Sequence, residues 1–578
     1  MAPTDQLQEV KIMLHGTAAS EGIGIGKVML IEEHSLEYTP RTVTDTEAES
    51  QRFKAAVDAF CYNTEKQAEN LRSSAGEKEA EILAGHIQII KDPYLSGEIE
   101  KLIADGQCAE SALEHMCDMF IAMFSAADDE LTKQRAADVR DIKSGVLGIL
   151  LGVNEIKVSD APKGTVLVAR ELTPSVTAGI VKENIAGIIT ETGGTTSHSA
   201  ILARALEIPA VLSVEGVASS LKNGDTVVVD GSEGAVIVNP DDNTVAEYSK
   251  KRDAFLAERK ELENYRGRET KSASGEVYEL FCNIGKPEDA VKAVDADGEG
   301  VGLFRTEFLF MDRTSIPTED EQFEAYKKAA LILKGKSLII RTLDIGGDKD
   351  IPYLGLEKEE NPFMGFRAIR YCLKNRELFK SQIKAILRAS AFGDIKIMFP
   401  LITTMDELRE GKKIVAECKA DLRNMDINFN ENIQVGVMVE TASAAVIADM
   451  LAKEADFFSI GTNDLTGYTM ACDRGNNDVS YLYSPLQPSV LRMIKRTIEC
   501  GVQNGISVGM CGEAAANKLM IPLLISFGLT EFSVSAPSVL NVRKIISTWT
   551  KEEADKVTAK VLEMSTQQEI VEYLKSVV

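Results

Sequence analysis

The C-terminal half of this chain alternates short apolar segments with longer segments of helical periodicity, and this alternation limits the folds it can adopt. Eight segments of strand length follow Glu276, namely residues 278–283, 300–304, 338–343, 395–399, 434–439, 457–460, 507–510 and 531–534. A helical pattern separates each segment from the next, as in repeated strand–helix units. Eight such repeats predict a closed (β/α)8 barrel, and an open doubly wound sheet is the alternative that strand counting leaves open.

A chain of 578 residues is too long for one hydrophobic core, so we expect an α/β multidomain protein. Short strand patterns occur near the N-terminus and again at 165–169, 185–189, 227–230 and 235–238. Residues 1–35 and 154–240 should therefore form one small α/β domain, and residues 269–578 the barrel. The glycines from Gly22 to Gly26 predict a turn and not a dinucleotide-binding loop, because a strand and not a helix follows them.

Residues 36–153 carry helical periodicity and predict an all-helical insertion into the small domain. The predicted helices are 41–75, 77–90, 94–104, 109–125 and 128–151. This segment has no chemical motif of its own, and its His86 fits a docking face and the edge of a core equally well. Residues 241–268 are rich in charge with apolar residues at helical spacing, which predicts a connecting helix instead of a flexible linker.

The charge and cysteine content exclude several classes of protein. A formal net charge of −25 opposes a nucleic-acid partner, which requires a basic face; it suits a basic protein partner or simply solubility. Nine cysteines without a Cys-x-x-Cys pair indicate reduced thiols. The N-terminus lacks a signal-peptide hydrophobic region and no apolar run reaches the length of a bilayer span, so we expect a cytoplasmic protein without membrane insertion.

One histidine stands between a glycine turn and a helix. Residues 186–190 predict a short buried strand, and residues 201–208 predict a helix that ends before Pro209. A helix N-terminus offers unpaired N–H groups and partial positive charge, which suit a phosphate. An imidazole at that position is kept neutral and nucleophilic. His198 is therefore a candidate for transient phosphorylation, and a surface histidine near a helix cap is the alternative.

Charged and polar residues stand at or just after the ends of the predicted barrel strands. They are Arg305, Arg341, Arg367, Glu440, Asn463, Asp464, Arg474 and Cys511. Taken singly, an arginine can be a surface ion pair, a carboxylate can cap a helix, and a cysteine can be a small buried apolar residue. Chemistry in a (β/α)8 barrel is found at the carboxyl ends of the strands, so we expect these side chains to form one site.

Several motifs resemble those of the phosphoenolpyruvate (PEP)-utilising enzymes. The run from Gly193 to Pro209 resembles their phosphohistidine signature, and the motifs around the barrel strand ends resemble those that bind PEP and Mg²⁺. Over nearly the whole chain the sequence is similar to the Enzyme I branch of that family, which serves bacterial sugar uptake. Two positions depart from the pattern: Thr195 stands where Arg or Met is frequent, and Ala442 where proline is common.

The resemblance implies a role for each candidate residue. PEP would be bound by Arg305, Arg341, Arg367, Asn463 and Arg474, the metal Mg²⁺ by Glu440 and Asp464, and the enolate would be protonated by Cys511. His198 would take the phosphoryl group, with release of pyruvate, and pass it to a histidine of the small phosphocarrier protein HPr. HPr would dock on the helical insertion, and the protein would form a homodimer through the barrel.

Two other functions are considered. A PEP synthase or pyruvate phosphate dikinase shares the histidine domain and barrel but needs a large ATP-binding region. The sequence has no Gly-x-x-x-x-Gly-Lys-Ser/Thr motif and no spare length for such a region. A non-catalytic signalling relative would not need the full set of arginines, carboxylates and thiol. The phosphotransferase is therefore the favoured prediction.

Overall fold

A computed structural model describes residues 12–31, 36–74, 77–126, 130–153, 158–172, 174–177, 179–194, 197–311, 313–346, 351–473 and 476–578. The chain divides into two compact units, Met1–Arg259 and Lys260–Val578. Among the helices that the structure describes, none combines the length and the apolar character needed to cross a membrane.

The first unit contains a mixed sheet. Its strands are β1 (Ile12–His15), β2 (Thr17–Ser20), β3 (Ile23–Ile31), β4 (Thr165–Ala169), β5 (Ile185–Thr190), β6 (Ala210–Leu212), β7 (Thr226–Asp230) and β8 (Ala235–Val238). In space they follow the order β1-β8-β7-β3-β4-β5-β6-β2, and the central run β3-β4-β5-β6 is parallel. The strands before and after the helical segment thus join in one sheet.

Strand β3 passes directly through the glycine cluster, so the predicted turn there is wrong. A side chain at Gly24 would place its Cβ 1.9 Å from the carbonyl oxygen of Ala186, and one at Gly26 would place it 2.0 Å from that of Gly164. Glycine is required at these positions because neighbouring backbone comes too close for any side chain.

Five helices lie between β3 and β4 in the sequence: α1 (Thr46–Ser74), α2 (Glu77–Ile90), α3 (Pro93–Ala104), α4 (Ala109–Ser125) and α5 (Glu130–Leu151). Helix α3 begins where Asp92 accepts hydrogen bonds from two backbone N–H groups, with proline at the first position. His86 is 1% exposed. Its ring nitrogens lie 3.4 Å from Asp138 and 3.7 Å from Asp141. Of the two positions that the sequence left open for His86, a docking face or a core, the structure shows the core.

Three further helices belong to the first unit, and a fourth connects it to the second unit. They are α6 (Pro174–Thr177), α7 (His198–Ala205), α8 (Val217–Ser220) and α9 (Asp242–Glu263). Helix α9 is the predicted connecting helix, and the division between the two units falls within it. The finer domain boundaries proposed from the sequence remain predictions.

The second unit is a closed barrel, as predicted, and the open sheet is excluded. Its parallel strands are β9 (Glu279–Ile284), β10 (Val301–Arg305), β11 (Leu338–Arg341), β12 (Ile395–Phe399), β13 (Val435–Val439), β14 (Phe457–Ile460), β15 (Ser507–Cys511) and β16 (Glu531–Val534). Strand β16 pairs with β9 and closes the ring. The side chains of Leu303, Ile339, Met398, Met438, Phe457 and Cys511 form one buried cluster contributed by six of these strands.

Helices cover the outside of the barrel. They are α10 (Asp289–Asp295), α11 (Glu319–Leu333), α12 (Ala368–Lys374), α13 (Arg376–Ala389), α14 (Met405–Asn424), α15 (Ala442–Val446), α16 (Ala448–Leu451), α17 (Thr462–Met470), α18 (Pro488–Gln503), α19 (Ile521–Phe527), α20 (Val539–Thr548), α21 (Lys551–Glu563) and α22 (Gln567–Val577). Helices α11, α14, α21 and α22 each begin with a threonine and a glutamate three residues later in reciprocal hydrogen bonds. This capping box explains why the sequence starts a helix at those points.

Candidate active site at the mouth of the barrel

The carboxyl ends of the barrel strands, called the mouth below, collect most of the candidate residues. Arg305 ends β10 and Arg341 ends β11, and the two are paired in register on adjacent strands. Glu440 directly follows β13, and Cys511 ends β15. Asp464 lies in the first turn of α17, the helix that follows β14. Because all strands are parallel, these residues share one end of the barrel.

Two buried arginines converge on one carboxylate. Asp344 Oδ2 lies 2.8 Å from Nη1 of Arg341, and its Oδ1 lies 2.7 Å from Nη2 of Arg367. Arg341 Nη2 also donates to Glu307 Oε1 at 2.6 Å, and Arg367 Nη2 lies 3.4 Å from Asp464 Oδ2. Burial acts to lower the pKa of both arginines, but the surrounding carboxylates raise it above the usual value. Both side chains are therefore permanent cations.

The same two arginines keep donors without a partner. Arg341 Nε and Arg367 Nη1 are buried and make no hydrogen bond within the described residues. An unsatisfied buried N–H of a charged group is costly, and such groups are normally paired. These two donors are therefore suited to the oxygens of an anionic ligand.

Glu440 is a buried carboxylate among other carboxylates. It is 2% exposed, and its Oε1 accepts a hydrogen bond from Leu401 N at 2.6 Å. Burial, and then the negative charges of Asp464 and Asp344, raise its pKa well above the usual range. A bound cation would relieve this repulsion, so the residues fit a hard divalent metal ion.

The protein supplies few ligands for such an ion. No group of three or more His, Cys, Asp or Glu side chains is arranged for a metal among the residues that the structure describes. Mg²⁺ is usually held by one or two carboxylates together with water and substrate oxygens. Glu440 and Asp464 match that requirement, with the remaining positions left to ligands that are not protein.

Cys511, the last residue of β15, is buried and belongs to the apolar cluster inside the barrel. Its Sγ lies 3.8 Å from the carbonyl oxygen of Ile460. Burial raises the pKa of the thiol to about 11. The thiol therefore carries its proton at neutral pH, which a proton donor requires.

The remaining barrel candidates are less enclosed. The Arg305 side chain is exposed. Asn463 is half-buried, and its backbone carbonyl oxygen accepts a hydrogen bond from Tyr483 Oη at 2.9 Å. Arg474 lies outside the described residues. The loop that carries Arg367 is tied to α17, because the Tyr468 hydroxyl donates to the carbonyl of Phe363.

Sequence reasoning assigned no role to Glu307 or Asp344. Both were visible in the motifs that contain Arg305 and Arg341, but a carboxylate next to an arginine in sequence does not reveal which guanidinium it contacts. For Asp344, the available signal was its place just after a strand that ends in Arg341; for Glu307, which contacts Arg341 from the neighbouring strand end, no local signal existed.

In the first unit, His198 is the first residue of α7. The Oγ of Ser197 caps the helix by accepting from Ala200 N at 3.3 Å. Gly193 in the preceding turn has a φ of +105°, which favours glycine. The helix runs from His198 to Ala205 and so begins before the predicted 201–208, because the serine cap fixes its start. Thr195 lies outside the described residues.

Comparison with known proteins covers most of the chain. Three domain models of PEP-utilising enzymes match it: the N-terminal domain over residues 15–135, the mobile domain over 161–234 and the PEP-binding domain over 259–550. The first two fall in the first unit, and the third includes the mouth residues described above.

Full-length relatives are also similar. The phosphoenolpyruvate-protein phosphotransferase of Bacillus subtilis (strain 168) is 46% identical over 570 residues, covering 98% of this chain and 99% of that protein. Its counterpart in Listeria innocua serovar 6a is 45% identical over 97% of this chain and 98% of that protein. An NMR solution structure of an Enzyme I protein (nEIt) is 37% identical, covers 42% of this chain and 99% of its own, and has a TM-score of 0.38. The chain belongs to the family of PEP-utilising enzymes.

Proposed function

We propose that the protein is a phosphoenolpyruvate–protein phosphotransferase that carries the phosphoryl group on His198. The observation that carries this proposal is the 46% identity to a phosphotransferase of that name over 98% of the chain. The buried arginines at the mouth support it, because each has a donor without a partner in the described part of the chain and so suits a small molecule with several negative charges.

PEP binding is assigned to the arginines and to Asn463. PEP carries a carboxylate and a phosphate, and guanidinium forks bind both in bidentate geometry. Arg341 and Arg367 offer the partnerless Nε and Nη1 donors, and Arg305 is exposed beside Arg341 on the next strand. Arg474 is assigned from its motif alone.

A metal ion is proposed at Glu440 and Asp464, and Mg²⁺ is the ion that suits their oxygens and the phosphate of the substrate. When bound, it would neutralise negative charge on the phosphate and on the enolate oxygen.

The chemical step is transfer of the phosphoryl group from the enol oxygen of PEP to a nitrogen atom of His198. An imidazole nitrogen of His198 forms a bond to phosphorus while the bond from phosphorus to the enol oxygen breaks. The electron pair of that bond stays on the enolate, whose charge the arginines stabilise. The Cys511 thiol then delivers its proton to the methylene carbon, which gives pyruvate, and the thiolate is reprotonated from solvent.

His198 and the PEP-binding residues belong to separate units, so the proposal requires His198 to be presented at the mouth during the first transfer. Helix α9 connects the two units and is the proposed pivot. Most of its described side chains are at least partly exposed, and Thr244 near its N-terminal end is buried, which suits a connecting helix.

The second transfer is proposed to a histidine of an HPr-type phosphocarrier that docks on the helices between β3 and β4. Tyr94, Met119 and Met123 expose apolar surface on α3 and α4, which suits a protein contact. The net charge of −25 favours a basic partner. Residence in the cytoplasm and a homodimer formed through the barrel complete the proposal.

The test is incorporation of phosphate from labelled PEP in the presence of Mg²⁺, followed by intact mass at a pH that preserves phosphohistidine. The unsubstituted protein should gain one acid-labile phosphoryl group. His198→Ala should gain none, while His15→Ala, a change at an exposed histidine of the same unit, should label normally. Labelling of His198→Ala at the full rate would refute the relay, and labelling from ATP in place of PEP would indicate a dikinase.

A further inference from the structure

A carboxamide on the outer helix layer lies directly behind the arginine-bearing strands. Gln382 of α13 is completely buried. Its Oε1 accepts a hydrogen bond from Leu343 N at 2.9 Å. Its Nε2 donates to Thr306 Oγ1 at 3.1 Å and to the Tyr326 hydroxyl at 3.2 Å. Both N–H groups and the oxygen of this side chain are thus in use.

The orientation of this carboxamide follows from its neighbours. A backbone N–H can only donate, so the group that faces Leu343 must be the oxygen. The hydroxyl of Thr306 donates its hydrogen to the carbonyl oxygen of Arg341, at 2.8 Å. It therefore receives from the nitrogen of Gln382.

These bonds connect the ends of two adjacent strands. Thr306 directly follows Arg305 at the end of β10, and Leu343 stands two residues after Arg341 at the end of β11. One side chain from a helix thereby holds both strand ends. The network continues outward, because Tyr326 Oη donates to Gln322 Oε1 at 3.2 Å and Gln322 Nε2 donates to Pro317 O at 3.1 Å. Its far end is anchored at the start of α11.

We infer that Gln382 is a positioning residue for PEP binding: it fixes the relative placement of Arg305 and Arg341 by joining the side chain of Thr306 to the backbone at Leu343. The inference rests on the proposed function. It assigns Gln382 no contact with substrate. Displacement of a binding group by about 1 Å is enough to weaken a site that depends on bidentate geometry.

The test compares Gln382→Met with Ser390→Ala in the full-length protein. Met has a similar volume, is only a weak acceptor for Leu343 N and cannot donate to Thr306. Ser390 caps the C-terminal end of α13, about 12 Å along the helix from Gln382, and its buried Oγ accepts from Asn430 N at 2.8 Å. Both changes therefore leave a backbone N–H without its partner, but only one lies behind the arginines.

The readout is single-turnover labelling from PEP at a series of concentrations, with the unfolding temperature of each variant. Gln382→Met should raise the half-saturating PEP concentration about tenfold and change the maximal rate much less, because positioning acts on binding. Ser390→Ala should lower the unfolding temperature and leave half-saturation within about twofold.

An unchanged half-saturation in Gln382→Met, or an equal rise in both variants, would overturn the inference. If Gln382→Met does not fold, Thr306→Val is tested in its place, because it removes the hydroxyl between Gln382 and Arg341. Thr306→Val should raise the half-saturating PEP concentration by a similar factor. An unchanged concentration in that variant would overturn the inference. An unsubstituted protein that takes up no phosphoryl group refutes the proposed function itself, and this inference with it.

Discussion

Asp344 and Arg367 form a buried ion pair in which Asp344 Oδ1 accepts from Nη2 at 2.7 Å and from Nε at 3.2 Å. The other oxygen of the same carboxylate contacts Arg341. One carboxylate thus sets the spacing of two guanidinium groups that come from different segments of the chain. It also balances part of their charge when no anion is bound.

Asp344→Asn should therefore destabilise the free protein more than the liganded one. Removal of one partner from a buried ion pair typically costs about 3–5 kcal/mol, because the other charge is left uncompensated. An anion bound at the arginines would compensate it, so PEP should raise the unfolding temperature of the variant more than that of the unsubstituted protein. Thermal unfolding with and without PEP measures this. Equal shifts in both proteins would contradict it.

Cys511→Ala should separate the two halves of the proposed reaction. The thiol lies buried in the barrel and is proposed to act only on the enolate, so labelling of His198 from PEP should fall less than the catalysed protonation of the enolate, measured as the rate of pyruvate formation in a coupled assay. Cys472→Ala, at the half-buried cysteine outside the barrel strands, is the control and should alter neither. Equal loss of labelling and of the rate of pyruvate formation would argue against the role as proton donor.

Glu531→Gln should stabilise the barrel at alkaline pH. Burial, and then the charge of Glu279, raise the pKa of Glu531 to about 8, and its Oε1 has no hydrogen-bond partner among the described residues. The unfolded pKa is about 4.3, so the folded state holds the proton more tightly. The stability that this proton provides is complete below about pH 4.3 and is lost as the pH rises towards 8.

The measurement is urea unfolding followed by fluorescence of Trp549, which is the single tryptophan of the chain and lies in the barrel unit. At pH 9 the free energy of unfolding of Glu531→Gln should exceed that of the unsubstituted protein by an amount on the order of a few kcal/mol. At pH 5 the difference should be smaller. Glu563→Gln, at an exposed site of the same unit, should show no such pH dependence. A constant difference across this range would rule out titration of Glu531.

Arg543→Met should strongly destabilise the barrel unit. Arg543 is 2% exposed and donates to Thr270 Oγ1 at 3.0 Å, to the carbonyl of Tyr265 at 3.1 Å and to the carboxylate of Asp297. The loss leaves buried acceptors and a carboxylate unpaired, a cost of about 3–5 kcal/mol by analogy with other buried pairs. Urea unfolding followed by Trp549 fluorescence measures the loss in the free energy of unfolding.

The matched control for Arg543 is its neighbour Lys544, whose amino group pairs with Glu261 nearer the surface. Lys544→Met should change the free energy of unfolding by less than about 1 kcal/mol, as is usual for such pairs. Similar losses in the two variants would show that the buried network has no special importance.

Much of the fold could be predicted because its signals are local. Strands β4, β12, β14 and β16 have the bounds that their apolar runs indicated, since strand periodicity and flanking turn residues act over a few positions. The glycine cluster in β3 was misread because close approach of Ala186 and Gly164, far away in sequence, is what requires glycine there. A local pattern carries no information on that approach.

The sequence by itself determined the alternation of strands and helices, the place of His198 between a glycine turn and a helix, and the presence of arginines and carboxylates at strand ends. Only the tertiary structure decided that Asp344 lies between Arg341 and Arg367 and that Gln382 reaches Thr306. It also decided that burial raises the pKa of Cys511 and Glu531. The physical reason is that pairing and desolvation depend on which atoms surround a group, and closure of the barrel brings those atoms from distant parts of the chain.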